Sequence, residues 1–172
     1  MKIRKMGMVG CGLMGRGIVE VCARADYDVL VSTSGDESLE RGLAAIEASL
    51  ARAVEKGRAT AEEKKAAMSH ITGTVRIEDF KECDLVIESV NEDLELKRRI
   101  FLSLDKVCQD HTILATNTSC LSVMEIASAT RRPDRVLGVH FFNPVPFMKL
   151  IELVKTFTTS EETMVIGRSF AE

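Results

Sequence analysis

Close to its start the chain reads KMGMVGCGLMGRGIVEVCARADYDVLVSTSG, and three glycines there restrict the fold more than any other feature. Gly10, Gly12 and Gly15 stand in GxGxxG spacing behind a short apolar run, Met6 to Val9. After them, Leu13 to Arg24 keeps Ile18, Val21 and Cys22 on one helical face, and a second apolar run follows at Val29 to Val31. Glycines alone serve many tight turns. A glycine turn that ends a strand and opens a helix inside a βαβ unit is far more specific, because it is the arrangement that holds a dinucleotide. Gly10 allows the sharp turn, Gly12 lets backbone approach a pyrophosphate, and Gly15 lets helix and strand pack closely. Cys11, Leu13 and Met14 complete the loop, whose helix N-terminal amides face the phosphates.

A carboxylate usually follows about 20 residues on, at the end of the second strand, where it accepts hydrogen bonds from the adenosine ribose. Here that place reads Ser32-Thr33-Ser34, with Asp36 slightly beyond and able to bend back. The hydroxyls of Thr33 and Ser34 would also tolerate a 2′-phosphate, with Arg41 as counter-charge. NAD is the expected cofactor, and NADP is compatible with the same residues.

Beyond this unit, strands and helices keep alternating. Apolar residues at Leu39, Leu43, Ile46, Leu50 and Val54 predict a long helix, and Thr60 with Glu63 forms a capping box for a second. The run Asp84 to Val90 suits a strand buried on both faces. Helix Leu94 to Val107, strand Thr112 to Thr116, helix Val123 to Ser128, strand Arg135 to Phe142 and strand Lys149 to Lys155 follow, and a capped helix starts at Ser160. This predicts an α/β fold, a Rossmann-like doubly wound and mostly parallel sheet with a helical pair inserted at 37–71. Residues 1–159 make the nucleotide-binding domain, and 160–172 begin a helix leading out of it. With no cover for that helix, Val165, Ile166 and Phe170 are expected to stay partly exposed.

Charge and cysteine usage narrow the partners. The 26 acidic and 23 basic side chains give a net charge of −3 with no basic block, which does not favour nucleic acid. The apolar run near the start is broken by glycines and Arg16, so neither a leader nor a membrane span fits and a cytoplasmic location is expected. Cys11, Cys22, Cys83, Cys108 and Cys120 are odd in number, lack a CxxC pair and lie in apolar segments, as reduced core thiols do. His70, His111 and His140 are too scattered to suggest a metal site.

Polar residues crowd the strand ends of the second half, where open α/β sheets bind ligands. His140 is the best candidate for exchanging a proton with a substrate, imidazole being the side chain that does so most readily near neutral pH. Glu152 sits amid apolar residues on the adjoining strand, and an inward carboxylate there needs a partner, which His140 supplies.

At these residues the chain resembles the L-3-hydroxyacyl-CoA dehydrogenases, most closely the 3-hydroxybutyryl-CoA type. The resemblance runs from Met6 to Thr163 on VGCGLMGRGI, LVIESVNEDLELK, ATNTSCLS and GVHFFNPVPFMKLIELV. It implies NAD-dependent oxidation of a short-chain L-3-hydroxyacyl-CoA to the 3-oxoacyl-CoA, in fatty acid or butyrate metabolism. It makes His140 the base, Glu152 its partner and Ser119 the hydroxyl that binds the substrate oxygen. Glu92, Lys97, Asn117 and Asn143 match positions around the nicotinamide half of the cofactor, with Ser119 among them, and Ser49 and Lys56 match contacts to coenzyme A. Without the family, Glu92 and Lys97 read as a solvated helix pair, Ser119 as a turn hydroxyl and Lys56 as a surface charge.

Two departures stand out. Thr33 replaces the family's ribose-binding aspartate, and the final SFAE falls in a helix that the family continues into an all-helical domain carrying another active-site asparagine, substrate contacts and the dimer interface. Little turnover is therefore expected of the chain alone, and no family-type homodimer. Two alternatives follow: a nucleotide-binding module without turnover, and the related L-gulonate dehydrogenase and lambda-crystallin branch, against which HFFNPVPFMKL argues.

Overall fold

The apolar runs become strands because only a sheet covered on both faces buries every one of their side chains. In the computed structural model, which describes residues 2–172, they are β1 (Lys5–Val9), β2 (Asp28–Ser32), β3 (Ile71–Thr74), β4 (Leu85–Glu88), β5 (Ile113–Thr116), β6 (Val136–Phe141) and β7 (Ile151–Val154). Among the described residues they form one seven-stranded sheet in the order β3-β2-β1-β4-β5-β6-β7. All neighbours are parallel except β6 and β7. The helices are α1 (Leu13–Arg24), α2 (Asp36–Glu55), α3 (Ala61–Ser69), α4 (Leu94–Val107), α5 (Val123–Ala127) and α6 (Glu161–Ala171).

Alternation along each strand divides the core in two. On β4, Leu85 and Ile87 join Met6 and Met8 under Ile18 of α1 and Ile46 and Leu50 of α2. Val86 points the other way, toward Phe80 and toward Phe101 and Leu104 of α4. The capping box at the start of α3 is present in both directions: Glu63 N–H donates to Thr60 Oγ1 at 3.1 Å, and Thr60 N–H to Glu63 Oε2 at 2.7 Å.

Three features differ from the sequence expectation. The helical pair ends at Ser69, and Ile71 opens a parallel edge strand, β3, so α2 and α3 together form the crossover from β2 to β3. Helix α6 packs back onto β6 and β7. Met164, Ile166 and Phe170 belong to the core and only Val165 is exposed, which corrects the expectation for Ile166 and Phe170. Gly167 makes this approach feasible, since a Cβ there would lie 2.8 Å from Leu137 Cδ1, and the Tyr27 and Phe170 rings meet at 5.5 Å. Third, Cys120 is exposed rather than a core thiol. Burial pushes the Cys22 and Cys83 thiols up to about 12 and Cys108 up to about 11, which keeps all three protonated. Among the described residues no helix is long and apolar enough to cross a membrane.

Candidate active site

The sheet order reverses at β1, flanked by β2 on one side and β4 on the other, so a crevice opens at the C-terminal ends of β1 and β4. Backbone geometry at the three glycines explains their spacing. Gly10 has φ +100°, and a Cβ there would lie 2.6 Å from the Ser89 carbonyl oxygen. A Cβ on Gly15 would lie 2.0 Å from the Gly10 carbonyl oxygen, so α1 is pressed against the turn that opens it. Gly12 faces open space, with no described atom within 4 Å of where a Cβ would sit.

That space belongs to a cavity of about 750 Å³ running from Gly10, Cys11 and Gly12 to Thr33 and Arg41, with Asn91 on its other side. A smaller cavity of about 330 Å³ adjoins it and shares Ser89 and Val90 with it. Its lining includes Met14, Glu92, Asn117, Ser119, His140 and Asn143. Together they form one cleft across the strand ends, with an uncapped helix N-terminus and a side-chain-free Gly12 midway. An extended dinucleotide fits this arrangement, its diphosphate at Gly12 and its two halves in the two cavities.

At the smaller cavity, His140 on β6 and Glu152 on β7 are directly opposed across the antiparallel pair. Imidazole Nδ1 lies 2.9 Å from Glu152 Oε2. The Phe142 ring sits 4.6 Å from the imidazole and limits its tilt. Glu152 is not an inward group: its side chain is 56% exposed and His140's is 21% exposed, so the pair lies on an open wall.

Beneath it lies an ionic cluster. Lys97 of α4 and Glu88 at the end of β4 are 1% and 0% exposed, and Nζ lies 2.6 Å from Glu88 Oε1. The same ammonium reaches Glu92 Oε2 at 3.2 Å and the Val90 carbonyl at 3.4 Å. Glu88 also accepts from Val90 N–H at 2.6 Å and from the Thr116 hydroxyl at 2.9 Å. Glu92 Oε1 in turn accepts from the Thr118 hydroxyl and the Ser119 N–H, both at 2.9 Å. Partial burial raises the Glu92 carboxyl, but those bonds and Lys97 outweigh it and hold the group below its ordinary range. Lys97 and Glu92 are therefore no solvated pair. They fix the loop that carries Ser119, and Lys97 has its ammonium turned to protein partners.

Asn117 is a second brace: its Oδ1 accepts from Phe141 N–H at 2.8 Å and ties β5 to β6. Five of the sequence candidates line neither cavity: Gly15 packs against the Gly10 turn, and Glu152 reaches the smaller cavity only through His140. Leu13 projects outward, Ser49 is half-buried on α2, and the exposed Lys56 caps the C-terminus of that helix. The turn after Lys56 nevertheless reaches the site's outer loop, for the Arg58 guanidinium lies 5.2 Å from the centre of the Phe147 ring.

Residues 5–172 match the model of the 3-hydroxyacyl-CoA dehydrogenase NAD-binding domain. The chain belongs to this family. It is 43% identical over 159 residues to the 3-hydroxybutyryl-CoA dehydrogenase of Clostridioides difficile, covering 92% of this chain and 57% of that protein. It is 41% identical over 172 residues to a probable 3-hydroxybutyryl-CoA dehydrogenase of Bacillus subtilis, covering 100% and 60%. The crystal structure of FadB2 from M. tuberculosis superimposes with a TM-score of 0.98 at 43% identity, covering 99% of this chain and 60% of that one. The chain thus spans about three-fifths of the length of these relatives.

Within this dehydrogenase domain, Glu88 is the site residue that sequence reasoning missed. Its signal was present: a carboxylate closing an otherwise apolar strand buried on both faces requires a cation, and Lys97 stands nine positions later.

Proposed function

We propose that this chain supplies the cofactor-binding half of an enzyme that oxidises a short-chain L-3-hydroxyacyl-CoA, such as 3-hydroxybutyryl-CoA, to its 3-oxoacyl-CoA with NAD, in fatty acid or butyrate metabolism. The observation that carries this reading is the hydrogen bond between His140 and Glu152 beside Ser119, at the end of a cleft that begins at Gly12. The names of the two bacterial relatives support the substrate class.

The roles follow from the contacts. A carboxylate only accepts, so the Nδ1 proton of His140 points at Glu152 and Nε2 is left with its lone pair for the substrate's 3-hydroxyl proton. Glu152 then balances the charge of the imidazolium. The Ser119 hydroxyl donates to the substrate oxygen as it becomes a carbonyl, and Glu92 keeps the Ser119 loop in place through its N–H. Bound NAD would supply the hydride acceptor, and His140 takes the hydroxyl proton at the same carbon that gives up the hydride. Gly10, Cys11, Gly12 and Gly15 shape the diphosphate end, with Leu13 and Met14 opening the helix there. Asn117 and Asn143 face the nicotinamide half, while Ser49 and Lys56, on the helix that leads toward Phe147, receive the coenzyme A portion.

The openness of Glu152 supports a second reading of the chain by itself, cofactor binding without turnover, because water reaches the reacting atoms from the uncovered side. The test is steady-state NADH oxidation with acetoacetyl-CoA by the 172-residue chain, beside the chain extended by the helical domain that the resemblance implies. We expect NADH to bind both and turnover to belong to the extended chain, with His140→Ala removing it. If NADH binds and neither form turns over acetoacetyl-CoA, the dehydrogenase reading fails and the binding module stands.

A further inference from the structure

We propose that the ribose end of the cleft is a 2′-phosphate subsite, so that this chain binds NADPH about as well as NADH. The inference rests on reading the cleft as a dinucleotide site and deepens it by assigning the cofactor class. Three observations carry it.

The first is charge. The cavity wall between β2 and α2 presents Thr33, Ser34, Ser38 and Arg41, and Arg16 of α1 joins them. Among the described residues that line it there are two arginines and no carboxylate. In a site that selects NADH, a carboxylate at the end of the second strand accepts from the ribose hydroxyls and repels a 2′-phosphate. Thr33 offers neither effect, and its hydroxyl is turned away to the Gly35 carbonyl at 2.9 Å.

The second is the helix start. Gly35 is the N-cap of α2 and provides no side-chain cap, so the first-turn amides of this 20-residue helix are not satisfied by a capping group. The Ser38 hydroxyl donates back to the Gly35 carbonyl at 2.7 Å, which braces the turn. An anion is the natural ligand of such a start.

The third is that the opposing acids are accounted for. Asp36 and Glu37 occupy the first turn, yet neither lines the cavity. Glu37 is held by the Arg41 guanidinium, one helical turn on, in a pair whose side chains are 66% and 87% exposed. A pair so exposed is worth little in water. Arg41 can therefore transfer to a phosphate, whose bidentate, charge-assisted contact is stronger, and the Glu37 side chain is left to solvent.

Binding, not turnover, tests this. Calorimetric titration of the 172-residue chain with NADH, NADPH, 5′-ADP and 2′,5′-ADP is expected to give NADPH within about tenfold of NADH, and 2′,5′-ADP tighter than 5′-ADP. Arg41→Ala should weaken NADPH and 2′,5′-ADP about tenfold more than NADH and 5′-ADP, the loss of one charge-assisted contact to the 2′-phosphate. Thr33→Asp should tighten NADH and weaken NADPH. The proposal is overturned if NADH binds while NADPH is about a hundredfold weaker, if 2′,5′-ADP is no tighter than 5′-ADP, or if Arg41→Ala weakens NADPH no more than NADH. In each of those cases the cleft remains an NADH site. If no nucleotide binds, the reading of the cleft fails together with this one.

Discussion

Replacing Gly12 by valine and Gly15 by alanine separates the two jobs of the glycine turn. At Gly12 the backbone has φ −70° and ψ −162°, which any residue adopts, and the new side chain meets no described atom within 4 Å of its Cβ. Valine is a poorer N-cap than glycine by about 1 kcal/mol, and a stiffer unfolded chain returns about 0.4–1 kcal/mol. The net change in stability is within about 1 kcal/mol, or about 2–4 °C in Tm for a domain of this size. The side chain would fill the space for the pyrophosphate, so NADH affinity should fall at least about a hundredfold, equivalent to about 2.7 kcal/mol. Gly15→Ala behaves differently. Its Cβ would lie 2.0 Å from the Gly10 carbonyl oxygen, a backbone atom of the turn itself. Overpacking of that kind costs about 1–3 kcal/mol, and an immovable neighbour puts it at the upper end. Better helix propensity recovers about 1 kcal/mol, so a net loss of about 2 kcal/mol, or about 4–8 °C, is expected. Thermal unfolding by circular dichroism and NADH titration by fluorescence measure both quantities on each variant. Unchanged NADH affinity in Gly12→Val, or an unchanged Tm in Gly15→Ala, would refute the assignment of the diphosphate to one glycine and of the packing contact to the other.

Three further outcomes are expected. His140→Ala in the extended enzyme should lower turnover about 10²- to 10⁴-fold with NADH binding little changed, and Glu152→Gln should slow it non-additively; additive losses in the double variant would separate the two residues. Lys97→Met leaves Glu88 buried without its ammonium and should cost about 3–5 kcal/mol in urea unfolding; a loss under about 1 kcal/mol would show that the cluster does not hold the Ser119 loop. Asp105, 1% exposed, concerns pH. Burial raises its carboxyl, but hydrogen bonds from Arg132 at 2.7 Å and Arg131 at 3.0 Å outweigh that and hold it below the ordinary range. Its contribution is therefore complete above the unfolded value of about 3.9 and is lost as pH falls from there through the lower folded value. Asp105→Asn should destabilise the protein near neutrality and flatten that acid limb; an unaltered limb in acid titration of Tm would count against the pair.

Much of this architecture was readable from residue pattern, and the misses have physical causes. The central strands announced themselves because burial on both faces demands continuous apolar runs. Strand β3 did not, since it is an edge with only Thr74 fully buried, and its Ile71 falls in step with the preceding helical period. Gly73 marks the place where Leu39 of α2 approaches to 3.0 Å of a would-be Cβ, a contact no local pattern reveals. The antiparallel turn of β7 was implicit in the nine residues between Phe141 and Ile151, too few for a parallel crossover. The cover over α6 depends on Gly167 meeting Leu137, 30 positions away. At the site, His140, Glu152 and the glycines could be singled out from their types and places. The burial of Lys97 could not, because a lysine on a polar helix face looks the same whether it meets water or a carboxylate, and only Glu88 at the close of an apolar strand hints at the ammonium that meets it.

The direct opposition of His140 and Glu152 also bears on how such an enzyme can diversify. The two residues are twelve positions apart but occupy a single rung, and Gly138 helps to hold that alignment, since a Cβ there would sit 2.8 Å from Val154 Cβ. A slip of one residue would send Glu152 to the opposite face and set Ile151 or Leu153 against the imidazole. Residues 142–150, by contrast, make no rung of the sheet and carry the exposed side chains of Phe147, Met148 and Leu150. Phe142 packs on the imidazole and Asn143 lines the smaller cavity, but changes at 147–150 can be absorbed by the connection without shifting the His140–Glu152 rung. Under the proposed function, this fold can thus vary its exposed connection at 147–150 while strand alignment keeps His140 and Glu152 on one rung.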